Sequence, residues 1–312
     1  MFSQKLKSSM NKKTKTLIVI AGPTAIGKTG LAVFLAKQLK TEIISFDSRQ
    51  FYKEMKIGTA VPSEEELAEV PHHFIQNLSI HDEYTVGDFE QDALEKLDEL
   101  FQKYDAVVMA GGSGLFEKAV TEGLDEFPEV DKTIRQNLIY EFDVYGIEPL
   151  QKELFQVDPV YHQLVDIQNP VRIIRALEIY RGTGKPFSSF RKNNKVKRDF
   201  NVLKIGLELP RKEIYERINN RVDSMMEEGL LDEVKSLCKF KNLNSLQTVG
   251  YRELFDYLDE TINLDFAVEE IKKNTRRYAK RQLTWYRKDE RVNWFSPHEK
   301  EEILSYILSF HD

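Results

Sequence analysis

The segment Gly22-Pro-Thr-Ala-Ile-Gly-Lys-Thr29 carries the G-x-x-x-x-G-K-T pattern of a phosphate-binding loop (P-loop). Its glycines permit a tight turn and a close backbone approach to a ligand. Gly22, Pro23, Thr24, Ala25, Ile26 and Gly27 would direct backbone N–H groups and a helix N-terminus at a polyanion. Lys28 adds a mobile positive charge for terminal phosphates. Thr29 offers a hydroxyl to Mg2+, a cation that prefers oxygen ligands and keeps several waters. The next strand ends in Asp47-Ser-Arg-Gln-Phe-Tyr52. Its carboxylate is placed where a group attacking a bound phosphate ester could be received. The loop itself binds phosphates without specifying whose.

These residues need a scaffold, and the flanking pattern supplies one. The apolar run Leu17–Ile20 precedes the loop and a helical pattern, Leu31–Leu39, follows it. Further apolar, β-branched runs lie at Glu42–Phe46, Ala106–Ala110, Val202–Leu209 and Val292–Phe295, separated by helical patterns. The segment Gly87–Lys103 repeats apolar residues with a 3.6 period. This alternation predicts an α/β fold: a P-loop NTPase-like parallel sheet flanked by helices. Ligands of such sheets bind beyond the carboxyl ends of the strands. The loop, Asp47 and Gly111-Gly-Ser-Gly114 all follow strands, so they are expected in one cleft. From 124 to 198 the strand signals vanish and helical patterns take over, which predicts an inserted all-helical subdomain. The expected organisation is a basic disordered tail at 1–15, an α/β core at 16–123 and 199–312 with a helical C-terminal part, and the insertion at 124–198.

With 312 residues, 41% hydrophobic and 31% charged, the chain can bury a large core. Its net charge of −6 gives no global sign of nucleic-acid binding, so such a site must be a local patch. The single cysteine, Cys238, excludes an intramolecular disulfide and a multi-Cys zinc site, and fits a reducing, cytoplasmic compartment. No apolar run approaches the length of a membrane span, and the Lys- and Ser-rich N-terminus lacks the apolar core of a secretory signal. Nothing in the sequence requires more than a monomer.

Many enzymes that hydrolyse nucleoside triphosphates close a strand with an Asp that helps hold the metal. Here Ala106–Ala110 runs into Gly111-Gly-Ser-Gly114 instead. This favours a transferase whose loop holds a leaving group, and leaves a small-molecule kinase with ATP in the loop as the rival.

The chain resembles the tRNA dimethylallyltransferases, also called tRNA isopentenyltransferases. The resemblance runs from about Thr16 to Phe295 and rests on Gly22–Thr29, Asp47–Tyr52, Ile57–Ala60, Pro71–His73, Gly111–Phe116, Asn169–Tyr180, Thr183–Pro186, Arg221–Val234, Gln247–Arg252 and Arg277–Arg287. It implies transfer of a dimethylallyl group from dimethylallyl diphosphate to N6 of adenosine 37 in the tRNA anticodon loop, with Mg2+. The phosphate loop would then hold a prenyl diphosphate. Donors fixed on the leaving pyrophosphate favour C–O cleavage, and the weakly nucleophilic adenine amine must lose a proton as it attacks.

By this resemblance Lys28, Asp47 and Ser113 are the catalytic residues, with Asp47 as general base and Ser113 where the family usually has Thr. Arg221 matches a diphosphate-binding arginine, and Arg135 is a second candidate by spacing. The implied tRNA contacts are Asp47, Ser48, Arg49, Gln50, Val171, Arg172, Arg175, Gln247, Gly250, Tyr251 and Arg252. Val171 stands where the family often has Gln. An adenine is reached by turning it out of the stack, which costs least in a single-stranded loop. The alternative within this chemistry is prenyl transfer to free adenine nucleotides. The helical insertion and the basic stretches Arg191–Arg198 and Lys272–Arg291 favour RNA.

Overall fold

The computed structural model describes residues 15–192 and 195–310. Of the expected N-terminal tail only Lys15 falls within them, its ammonium 2.9 Å from both the Tyr104 carbonyl and the Asp105 carboxylate. The described residues form two compact units, one from 15–122 with 197–310 and one within 123–196.

The first unit is built on a six-stranded, all-parallel sheet of order β3-β2-β4-β1-β5-β6. The strands are β1 (Thr16–Ala21), β2 (Ile43–Ser45), β3 (His72–His73), β4 (Ala106–Ala110), β5 (Asn201–Leu207) and β6 (Val292–Phe295). The helices are α1 (Lys28–Leu39), α2 (Glu64–Glu69), α3 (Val86–Phe101), α4 (Gly114–Glu122), α9 (Arg211–Glu227), α10 (Leu230–Leu237), α11 (Tyr251–Leu258), α12 (Leu264–Tyr286) and α13 (Lys300–Ser309). The two-residue edge strand β3 carries no readable strand signal in the sequence. Partners make it: His73 bonds Glu42 across 2.7 Å, and His72 Nδ1 lies 2.8 Å from the Val70 carbonyl.

β1 sits between β4 and β5, and all six of its residues are buried. That is why it reads as a continuous apolar run rather than an alternating one. Ile18 and Ile20 join a core with α1, α9 and α13, whereas Leu17, Val19 and Ala21 join a second core with α3 and α4. Alternate residues of a strand point to opposite faces, so helices cover both sides of the sheet. α3 starts at a capping box between Thr85 and Asp88 and buries Phe89, Ala93, Leu97, Leu100 and Phe101 along one stripe. A third core gathers α9–α12 around Met55, Leu246, Tyr251 and Leu254.

The second unit is helical among its described residues: α5 (Lys132–Tyr145), α6 (Glu148–Val157), α7 (Pro159–Leu164) and α8 (Pro170–Thr183). Leu138, Leu150, Leu154, Ile173, Leu177 and Phe187 form its core. Helical patterns in the sequence at Asp131–Tyr145, Pro149–Phe155 and Asn169–Tyr180 anticipate α5, α6 and α8. They miss α7, six residues opened by Pro159 and capped by Asp158, because it is too short to display a period.

Candidate active site

Three loops at the carboxyl ends of β1, β2 and β4 converge. The loop after β1 turns into α1 at Gly27, whose φ of 102° suits glycine, and no side chain caps the helix. The first α1 amides are therefore left for a ligand. Lys28 Nζ donates to the carbonyls of Gly22 (3.1 Å) and Pro23 (2.8 Å). Burial pushes its ammonium down to about 8; the Asp47 carboxylate opposes that shift and the Arg221 guanidinium adds to it. Arg221 reaches the loop from α9 and donates to the Thr24 hydroxyl at 3.2 Å. Its guanidinium is also lowered by burial, with Asp47 acting against the shift.

Asp47 follows β2. Its carboxylate accepts from the Arg49 amide at 3.2 Å, and its carbonyl accepts from the Gln50 amide at 3.0 Å, closing a turn. Arg49 is tied to the carbonyls of Asn244 and Ser245 at 3.1 and 3.0 Å. The Ser113 hydroxyl, from the Gly-rich turn after β4, accepts from the Ser48 amide and lies 3.1 Å from the Ser48 hydroxyl. Burial raises the phenol of Tyr278, on α12, to about 12; the nearby Asp47 charge adds to the rise and Ser113 opposes it.

A cleft of about 860 Å3 contains Thr24–Gly30, Asp47, Gln50 and Arg221. A second cavity of about 360 Å3 is lined by Asp47, Ser48, Arg49, Gln247, Gly250 and Arg252. The two share Thr24, Asp47, Thr59, Ala60, Arg221 and Met225 in their walls. Asp47 thus faces both a phosphate-loop chamber and an adjoining chamber whose wall holds Gln247 and Arg252.

Tyr251, expected as a tRNA contact, has no exposed surface, and its hydroxyl donates to Glu233 at 2.6 Å. Its side chain is therefore turned into the fold. Arg135, Val171, Arg172 and Arg175 belong to the helical unit. There Arg135 and Arg175 each lie 3.0 Å from the buried Glu178, and Val171 is exposed. Both arginines satisfy a carboxylate of their own unit.

Sequence reasoning missed Gln282 of α12. Its Oε1 accepts from the Thr24 amide and its Nε2 donates to the Gly112 carbonyl, both at 2.9 Å, so one amide joins the phosphate loop to the β4 turn. The available signal was its place on the buried stripe of α12 with Ala267, Ile271, Ala279 and Tyr286, where a polar residue must find partners.

Among the described residues, no three His, Cys, Asp or Glu are grouped to hold a metal ion. The Thr29 hydroxyl at the cleft is an oxygen donor that suits a hard cation sharing the oxygens of a phosphate ligand. No described helix is long and apolar enough to cross a membrane.

A sequence profile of the family described as IPP transferase matches residues 50–289. The chain is 56% identical over 294 residues to the tRNA dimethylallyltransferase of Christiangramia forsetii, covering 94% of this chain and 97% of that protein. It is 48% identical to tRNA dimethylallyltransferase 1 of Bacteroides fragilis, over 94% and 97% of the respective chains. The crystal structure of full-length tRNA isopentenylpyrophosphate transferase from Bacillus halodurans matches with a TM-score of 0.71 and 38% identity, over 95% of this chain and 97% of that one. A eukaryotic dimethylallyltransferase acting on tRNA matches with a TM-score of 0.72 and 27% identity, over 87% of this chain and 70% of that one. With a family profile over most of its length and relatives this similar along nearly all of it, the chain belongs to the IPP transferase family.

Proposed function

We propose that this chain is a tRNA dimethylallyltransferase. It moves the dimethylallyl group of dimethylallyl diphosphate to N6 of adenosine 37 in the tRNA anticodon loop and releases pyrophosphate. One observation carries the reading: Asp47 lines both the phosphate-loop cleft and the adjoining cavity, so a base can stand between a diphosphate and an incoming acceptor. The names of the relatives support the same chemistry.

In this reading the bond between C1 of the prenyl group and the diphosphate oxygen breaks as the bond from N6 to C1 forms. Asp47 accepts the proton that N6 loses. Lys28, Arg221 and the loop amides stabilise the charge gathering on pyrophosphate. Mg2+, held by Thr29 together with diphosphate oxygens, would neutralise part of that charge. Ser113 keeps the Asp47–Ser48 turn in register by accepting from the Ser48 amide. Gln247, Gly250 and Arg252 border the chamber for the extruded adenine, with Ser48, Arg49 and Gln50 beside it. Arg172, Arg175 and Val171 of the helical unit contact the RNA, with Arg135 a further contact to the diphosphate. The enzyme acts as a cytoplasmic monomer.

The test is transfer of label from dimethylallyl diphosphate, with Mg2+, to unmodified tRNA carrying adenosine 37, with AMP, ADP and ATP in parallel. Label in tRNA that drops about 10²–10⁴-fold in Asp47→Asn, with pyrophosphate binding retained, is the expected result. Label only in free nucleotide would move the activity to that acceptor, and ATP consumption without label would mark a kinase.

A further inference from the structure

Outside the phosphate loop and its bonded neighbours, one carboxylate is placed to shape the wall between the two chambers. Glu233 of α10 accepts four hydrogen bonds. Oε2 receives the amides of Lys56 (2.9 Å) and Ile57 (2.8 Å). Oε1 receives the amide of Gly58 (3.0 Å) and the hydroxyl of Tyr251 (2.6 Å). Three consecutive N–H groups pointing at one anion form a concave backbone nest, here filled by a side chain of the protein itself. The Tyr251 ring closes the other side: a Cβ on Gly58 would lie 2.5 Å from it, so the loop sits against the ring at a distance only glycine allows.

The clamped loop does not end in solvent. Thr59 and Ala60, the next two residues, belong to the walls of both chambers. Their carbonyls accept from Gln50 Nε2 at 3.2 and 2.9 Å. The Gln50 amide in turn donates to the Asp47 carbonyl at 3.0 Å. A continuous path of charged and neutral hydrogen bonds therefore runs from Glu233 through residues 56–60 to the turn that carries Asp47. Among the described residues none of these hydrogen bonds reaches the phosphate loop, to which Gln282 and Arg221 bond separately.

We infer that Glu233 is a positioning residue for the transfer step. By anchoring residues 56–58 it sets the wall formed by Thr59 and Ala60, and through Gln50 it sets the Asp47 turn, while leaving diphosphate binding to other residues. This rests on the transferase reading above. Charge-assisted bonds from consecutive amides hold a loop more tightly than neutral ones, and Gln in place of Glu can neither bring the charge nor accept from all four donors.

The experiment compares wild type with Glu233→Gln, Tyr251→Phe and Glu233→Asp in full-length protein. Hydrogen exchange of the peptide spanning residues 55–61, pyrophosphate affinity by calorimetry, and kcat and KM for tRNA prenylation are all read. For Glu233→Gln we expect faster exchange confined to that peptide, pyrophosphate affinity within about twofold, and kcat lowered by tenfold or more, on the order of what an ångström of misplacement costs. Tyr251→Phe, which keeps the ring and the three amide bonds, should lose less. Glu233→Asp, which keeps the charge, should recover part of the kcat. Wild-type kcat in Glu233→Gln would overturn the inference. So would parallel loss of pyrophosphate binding and kcat, because that pattern marks general unfolding. Absence of transfer by the wild type would instead sink the transferase reading itself.

Discussion

Gln282 holds the Thr24 amide from 258 residues away in sequence, with 2.9 Å between Oε1 and the backbone nitrogen. The same side chain bonds the Gly112 carbonyl, so α12 fixes the distance between the phosphate loop and the β4 turn. Replacing Gln282 by Ala removes both bonds and leaves a buried acceptor at Gly112. The predicted cost is about 1–3 kcal/mol of folding stability, read by urea unfolding. Pyrophosphate affinity should fall with it, because the Thr24 segment is then free to drift. Unchanged unfolding and unchanged affinity would show that the loop is held by its own turn alone.

Lys28 titrates near neutrality in the free protein, at about 8. A bound diphosphate favours its charged form, so binding takes up a proton above that pH. Affinity for pyrophosphate should weaken as pH rises through 8, by at most about tenfold per unit for one linked proton. Lys28→Arg keeps its charge throughout and should lack this component, while the titration of pyrophosphate itself is common to both proteins. The sign for folding is opposite. The folded-state value lies below the 10.5 of an unperturbed lysine, so the unfolded chain holds the proton more tightly between those two values. Lys28 therefore opposes folding most at neutral pH, and the penalty fades as pH rises from 8 toward 10.5. Lys28→Met should raise the melting temperature at pH 7 while weakening pyrophosphate binding.

Gly111 lies where β4 runs into the Gly-rich turn. A Cβ there would stand 2.7 Å from the backbone carbon of Phe46, an atom that cannot swing aside. Gly111→Ala should cost about 1–3 kcal/mol and push the β2 and β4 loops apart, lowering transfer as well as stability. Full activity with unchanged unfolding would mean that the two loops can shift without consequence.

Lys204 occupies β5 with almost no exposure, 2.7 Å from Glu117 and 2.8 Å from Asp289. Lys204→Met strands the buried Glu117 carboxylate and should cost about 3–5 kcal/mol. Adding Glu117→Gln should return part of that loss, a coupling that a double-mutant cycle measures. Burial alone would raise the Asp289 carboxyl, but hydrogen bonds from Arg291 and Lys204 outweigh it and hold the group below the carboxylate range. The stability from this group is complete above the ordinary Asp value of 3.8 and is lost as pH falls below it. In Lys204→Met that acid-side dependence should shrink.

The sequence by itself determined the elements whose signal is local. The phosphate loop is one contiguous stretch whose backbone conformation depends on its own glycines, so its chemistry could be read before any fold was known. β1, β2, β4, β5 and β6 were legible as short apolar runs and α3 as a 3.6 period, since each is buried in a way its own residues display. Asp47 and Ser113 could be placed near the loop because strands of a parallel sheet deliver their ends to one edge. What only the tertiary structure decided lies in long-range polar contacts. Tyr251 sits in a motif with Gln247 and Arg252, yet it turns inward to Glu233 while they line a cavity. Gln282 and Glu233 each occupy one position of an ordinary helix, and nothing nearby marks them as partners of a loop amide. A buried polar side chain is specified by the group it meets, and in both cases that group arrives from a segment more than 150 residues away.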